Sequence, residues 1–165
     1  MRRFRFLIIF FLASYKACIA EEASLCPIIL NYIQMHLPES GILRNSDGFV
    51  YVDLDDAYIH QLVTFIEQEG FQEPPYFGKD LVGAHITVIY PNEIEKYGIE
   101  TIQETGRTIH FVPNTCQAVR PPTWQAIDEV YFVVVDAPEL DAIREKYGLP
   151  KREYAFHITI GIKPY

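Results

Sequence analysis

"AHITVIY" (residues 84–90) and "FHITIGI" (residues 156–162) decide how this chain is read. Each holds His-Ile-Thr followed by an aliphatic residue, at 85–88 and again at 157–160, 72 positions further on. The chain has only five histidines, so two of them in one repeated pattern is a strong signal. Alternation of polar and apolar residues is the period of a β-strand. On such a strand His85, Thr87 and Ile89 share one face, and Ile86, Val88 and Tyr90 the other. In the second copy His157, Thr159, Gly161 and Lys163 share a face, with Ile158, Ile160 and Ile162 on the buried one. Burying such polar pairs without partners is costly, so both are expected to line a cleft.

Outward from the motifs, the two halves repeat. "FVYVDL" (49–54) has strand composition, and Asp55 or Asp56 suits a helix N-cap. Ile59, Leu62, Val63 and Ile66 fall at helical spacing, and Gly70 supplies a stop. His60 lies off that stripe and reads as a solvated helix residue. A Pro- and Gly-containing loop then leads to the first motif. In the second half "EVYFVVVD" (129–136) is a strand, Pro138 opens a short helix, Gly148 closes it, and a loop leads to the second motif. The landmarks are Asp53, Gly70 and His85, then Asp136, Gly148 and His157. Residues 27–37 predict a short helix, 38–48 a loop, and 107–122 one strand near 108–112 and a second near 115–119. Two similar α+β halves are expected to meet about a pseudo-twofold axis, which would bring motifs so far apart in sequence into one site.

Residues 1–20 have the grammar of a secretory signal peptide: Arg2, Arg3 and Arg5, an apolar run over 6–13, and small residues at 18 and 20. The run is too short for a membrane span, which needs about 20 residues. Cleavage after Ala20 would leave residues 21–165 as one domain, exported and not membrane-bound. The leader holds four of the 14 basic residues and none of the 22 acidic ones, so residues 21–165 carry 10 basic against 22 acidic residues, a net −12. That surface repels long nucleic acids, whose binding rests on phosphate neutralisation, but permits a small phosphate ligand in a local pocket. Cys26 and Cys116 remain. An oxidising compartment would allow them to pair, but sequence does not show whether they lie close enough. Neither has zinc-site spacing.

Two histidines flanking one substrate suit acid–base chemistry near neutral pH. One takes a proton from a nucleophile and the other gives one to a leaving group. Threonine hydroxyls beside them can donate to the nonbridging oxygens of a phosphodiester. Water attacking a 2′,3′-cyclic phosphate and a ribose 2′-hydroxyl attacking its neighbour fit equally, and neither calls for a metal or cofactor.

Paired His-x-Thr motifs on strands of two similar lobes resemble the 2H phosphoesterase superfamily, over roughly residues 48–165. That group includes cyclic phosphodiesterases, 2′-5′ RNA ligase-like proteins and viral enzymes that cut 2′-5′ oligoadenylate or cyclic oligonucleotides. The resemblance implies an α+β fold of two lobes of mainly antiparallel sheet with outer helices and a central cleft. It implies metal-independent cleavage of a small nucleotide or short oligonucleotide by a monomer, with His85, Thr87, His157 and Thr159 as the motif residues. Many relatives are intracellular, whereas this chain opens with an export signal. Tyr76, Phe77, Trp124 and Tyr154 are candidates to stack on a base, although in a chain this aromatic each is more often core or surface. Lys163 is a candidate phosphate contact. Lys151 and Arg152 form a basic spot most simply read as solvated loop. The alternatives are a nucleotide-binding module without turnover, an enzyme for a non-nucleotide phosphodiester, and a secreted interaction domain with incidental motifs.

Overall fold

The computed structural model describes residues 22–76 and 81–165. The predicted leader therefore lies outside the described residues, as does Phe77. The elements run α1 (Glu22–His36), β1 (Ser40–Ser46), β2 (Phe49–Asp53), α2 (Ala57–His60), β3 (His85–Ile89), α3 (Pro91–Tyr97), β4 (Thr108–His110), β5 (Val112–Val119), β6 (Ile127–Asp136), α4 (Pro138–Lys146) and β7 (His157–Pro164). All seven strands form one antiparallel sheet in the order β4-β1-β2-β3-β7-β6-β5. The class is α+β, as the sequence predicts. The half carrying the first motif and the half carrying the second join where β3 meets β7. β4 and β5 occupy opposite ends of this order, yet only Phe111 separates them in the chain. The sheet must therefore curl until its two ends share one stretch of backbone.

Three local expectations change. Residues 38–48 are not a loop, because β1 pairs with β2 as a hairpin from Ile42↔Asp53 to Ser46↔Phe49. The turn is Asp47-Gly48, both with positive φ (50° and 84°), which matches the twist of the flanking strands. The helix predicted from Asp55 to Gly70 breaks into α2 and two 3-10 turns, Val63–Phe65 and Glu67–Glu69. The Thr64 hydroxyl donates to the Gln61 carbonyl at 2.6 Å, in competition with the helical ladder. The apolar periodicity still reports burial, since Ile59, Leu62, Val63 and Ile66 all lie in the core. Finally, the first helix runs over Glu22–His36 rather than 27–37, and α3 falls where the sequence reading placed no element.

α1 lies against β5, and Cys26 and Cys116 form a disulfide between them, with Cα atoms 5.5 Å apart. The bridge spans 90 residues of chain. A link across so long a loop restricts the unfolded chain, and removing one from a small domain typically costs about 2–5 kcal/mol. Cys26→Ser/Cys116→Ser is expected to lower the urea-unfolding free energy by that amount, and dithiothreitol to do the same to the unmodified protein. An unchanged transition midpoint in both experiments would show that the bridge does not form.

Candidate active site

The only registered pair between β3 and β7 is Ile86↔Ile158, the central residues of the two motifs. Both isoleucines are fully buried on the core side. In an antiparallel pair this register sets His85 opposite Thr159 and Thr87 opposite His157, all four on the other face. Directly opposed side chains start about 4.5–5.5 Å apart and diagonal ones about 7–8 Å. The two histidines thus occupy one diagonal of a small square and the two threonines the other. All four line one cleft of about 670 Å³.

The histidines are held alike. His85 Nδ1 donates to the Gly83 carbonyl at 2.8 Å, and His157 Nδ1 to the Ala155 carbonyl at 3.0 Å. A carbonyl only accepts, so each bond fixes the proton of a neutral ring on Nδ1 and leaves Nε2 for the cleft. The support behind His85 is built by Asp56, whose Oδ1 accepts the Ala84 N–H at 2.9 Å. Gly83 has φ +65°, and a Cβ there would lie 2.3 Å from that same oxygen. Only glycine lets the backbone pass so close to Asp56 while its carbonyl meets His85. Aromatic rings collar each imidazole. Tyr76, Phe49 and Tyr51 stand 5.2, 5.7 and 6.0 Å from His85, and Phe132 stands 4.7 Å from His157. Burial lowers the pKa of both histidines, against the raising effect of their carbonyl bonds. At His157 the charges of Arg152 and His85 lower it further.

The repeat extends into the pairing irregularities. β2 pairs Tyr51 with Thr87 and Val50 with Ile89, skipping Val88. β6 pairs Phe132 with Thr159 and Tyr131 with Gly161, skipping Ile160. Each motif is therefore followed by a bulge one residue past its threonine, and a bulge reverses the alternation of faces beyond it. Ile89 consequently turns into the core and Tyr90 into the cleft, the reverse of the strict alternation predicted. The same reversal removes Lys163 from the His157 face. Its alkyl chain lies beside Gly70, its ammonium over the Phe71 ring at 5.6 Å and 3.6 Å from Glu129, away from the cleft. The register also corrects one landmark. Opposite His85 and His157 stand Asp53 and Val134, so Asp136 corresponds to Asp55, and α2 and α4 each begin two residues after that aspartate.

The bulge in β3 is gripped from the second half of the chain. Arg144 Nη1 donates to the Val88 carbonyl at 2.7 Å, while Nη2 reaches Glu93 Oε1 at 2.8 Å and the Pro150 carbonyl at 3.1 Å. Arg152 donates to the Thr87 carbonyl and lies over the Phe156 ring at 4.7 Å. Arg152 is half-buried, so it is not the solvated loop residue predicted. The two contacts tie the segment ahead of the second motif to the backbone of the first.

Tyr76, Trp124 and Tyr154 line the cleft. Burial raises the Tyr76 pKa, against the lowering effect of the Thr159 hydroxyl beside it. The sequence reading missed Tyr90, Gln117 and Phe132, which also line the cleft. Phe132 carried a signal, as an even-numbered residue in a strand whose odd-numbered neighbours Tyr131, Val133 and Val135 form core. His60 sits outside the site, its Nδ1 2.7 Å from Glu73. Among the described residues no group of three or more His, Cys, Asp and Glu side chains gathers to hold a metal ion.

Two His-x-Thr pairs thus lie on adjacent antiparallel strands and face one cleft. The family model described as "Swiss Army Knife, 2H phosphoesterase domain" (2H-SAK) matches residues 50–165, and the chain belongs to the 2H phosphoesterases. Membership gives it the phosphoesterase class, and with it that of a hydrolase. No curated protein and no solved structure matches the chain.

Proposed function

We propose that this protein is a metal-independent phosphodiesterase that cleaves a small cyclic or 2′-5′-linked nucleotide by two-histidine acid–base catalysis. The observation that carries the reading is the matched pair of imidazoles, each with Nδ1 committed to a carbonyl two residues back and Nε2 free for one shared cleft. In the reaction a water or ribose hydroxyl oxygen forms a bond to phosphorus. Its proton passes to the neutral Nε2 of one histidine. The bond to the leaving oxygen breaks, and that oxygen takes a proton from the Nε2–H of the other. Thr87 and Thr159 donate to the nonbridging oxygens, where negative charge builds. Proton exchange with water resets the pair. Export is part of the proposal, supported by the grammar of residues 1–20 and by the disulfide, which oxidising compartments favour.

The test is product analysis on 2′,3′-cyclic nucleotides, cyclic dinucleotides and 2′-5′ oligoadenylate with EDTA present. Cleavage in EDTA is expected. Loss of activity in EDTA with recovery on one divalent ion would point to another mechanism, and binding without cleavage would favour a nucleotide-binding module.

The histidine environments set the pH dependence. The active free enzyme holds one protonated and one neutral imidazole, so kcat/KM is bell-shaped and reports the pair. Burial lowers both values. The alkaline fall should therefore begin below the ordinary histidine value of about 6.5. The same sign governs stability, because the unfolded chain binds more protons than the folded one in that window. The histidine contribution is complete above about pH 6.5 and is lost as pH falls through the folded values. A kcat/KM maximum on the alkaline side of 7 would contradict this account.

A further inference from the structure

Arg152 reaches the active site from behind. Its guanidinium donates to the Thr87 carbonyl and lies over the Phe156 ring, 4.7 Å from the centroid. Phe156 directly precedes His157, and its own carbonyl accepts the Val135 N–H at 2.9 Å. One side chain therefore touches the residue before one motif histidine and the backbone of the other motif's threonine. It does so without lining the cleft. Arg152 instead lines a separate cavity of about 600 Å³, together with Asp136, Asp141 and Lys151. Tyr154 and Ala155 line both cavities, so the segment leading into His157 is the wall between them. The Ala155 carbonyl in that wall is the acceptor for His157 Nδ1. A planar guanidinium can bond a carbonyl and stack on a ring at once, which a lysine ammonium does less well.

We propose that Arg152 is a positioning residue for the two-histidine reaction: from behind the cleft it fixes the Thr87 backbone against the wall that carries His157, and its charge distinguishes that imidazole from His85. The proposal rests on the phosphodiesterase reading and deepens it. Charged and titratable groups reach His157 from several sides. β3 brings His85, and the connection before β7 brings Arg152, Glu153 and Tyr154. Tyr76, Tyr90 and Arg120 share the cleft. β6 faces His157 with Phe132 and Val134, which carry no charge. Burial is the leading cause that lowers the His157 pKa, and the charges of Arg152 and then His85 lower it further. Burial also leads at His85, but there the acting charge is Asp53, its partner on β2, which has the opposite sign. A nearby cation disfavours a second positive charge, so Arg152 makes the two imidazoles unequal. Removing that charge should raise the His157 value and leave His85 closer to where it was.

The experiment follows the His157 ring Cε1–H by NMR against pH in protein carrying isotope-labelled histidine, with the signal assigned by its absence from His157→Ala. It compares the unmodified protein, Arg152→Met and Arg152→Lys, each checked for folding by circular dichroism. In Arg152→Met, His157 is expected to titrate at higher pH, with His85 moving less. Arg152→Lys keeps the charge and should titrate close to the unmodified protein. Kinetics with adenosine 2′,3′-cyclic phosphate should show kcat lower by about 10- to 100-fold in Arg152→Met, since a displacement of about 1 Å at the reacting atoms costs up to that much. KM should change little, because Arg152 does not line the cleft. The kcat/KM maximum should move to higher pH, and Arg152→Lys should recover part of kcat. A His157 titration that stays put in folded Arg152→Met, or that moves as far in Arg152→Lys, would overturn the proposal. Should Arg152→Met not fold, Arg152→Lys decides: an unmoved titration with lowered kcat supports the proposal, and a raised one overturns it. The titration needs no turnover, so the two readings fail separately. An unmodified protein that cleaves no phosphodiester removes the phosphodiesterase and leaves the effect of Arg152 on His157, whereas turnover with an unmoved His157 removes the role of Arg152 and keeps the phosphodiesterase.

Discussion

Replacing His85 or His157 with alanine is expected to lower kcat/KM for a phosphodiester about 10²- to 10⁴-fold, the range of one positioned proton transfer. Each imidazole offers the cleft a single titrating nitrogen, because its Nδ1 is already bonded to Gly83 or Ala155. Among the described residues the rings around them are Phe49, Tyr51, Tyr76 and Phe132, none of them a histidine that could replace either. The double variant should lose far less than the product of the single losses, since groups acting as a unit are not additive. Thr87→Val and Thr159→Val should be milder. Each removes one hydrogen bond to a charged group, about 1.5–3 kcal/mol, or roughly one to two decades of rate. Steady-state kinetics across pH for the five variants, with circular dichroism to confirm folding, checks the set. A folded histidine variant with near-native turnover would refute the two-histidine mechanism.

The second large effect is on stability. Arg144→Met is expected to cost about 3–5 kcal/mol, the range for removing one partner of a buried ion pair. Arg144 is 5% exposed and ties three parts of the chain together: β3 through the Val88 carbonyl, α3 through Glu93, and the connection after α4 through Pro150. Methionine fills similar space but leaves both carbonyls without this donor and the Glu93 carboxylate with only the Tyr90 N–H. Burial raises the Glu93 pKa, but bonds from Arg144 and from the Tyr90 N–H outweigh it and hold the carboxyl below its ordinary value. That stabilisation is present above the ordinary carboxylate range and is lost as acid protonates Glu93. Glu93→Gln should therefore cost less than Arg144→Met, because the Val88 and Pro150 bonds survive it. Urea denaturation of both variants is the measurement, and an Arg144→Met change below about 1 kcal/mol would contradict a buried tie of this kind.

The motif strands were legible because polar residues recur at period two within apolar runs, and nothing else in the chain imitates that pattern twice. The bulges were not. Whether Val88 and Ile160 are skipped depends on how β2 and β6 register against them, which is non-local information. One missed bulge is enough to move Lys163 from a candidate phosphate ligand to a cation over Phe71. The β1–β2 hairpin was legible in principle from Asp47-Gly48, but Ser, Glu, Asn and Gly around it read as loop. Ser46 and its neighbours Arg44 and Asn45 lie at the exposed end of β1, where burial imposes no pattern. Arg144 and Arg152 were the least legible. Their partners Val88 and Thr87 lie 56 and 65 residues away, and the contacts are to backbone carbonyls, which carry no residue signature.

The central claim is that His85 and His157 act on opposite sides of one phosphorus atom. The most direct test is a crystal structure with a nucleoside vanadate, whose five-coordinate vanadium resembles the phosphorus of the reaction. His85 Nε2 and His157 Nε2 are each expected to bond one of the two apical oxygens, with the Thr87 and Thr159 hydroxyls on equatorial oxygens. Vanadate bound outside the cleft, or contacted by only one of the two imidazoles, would contradict it.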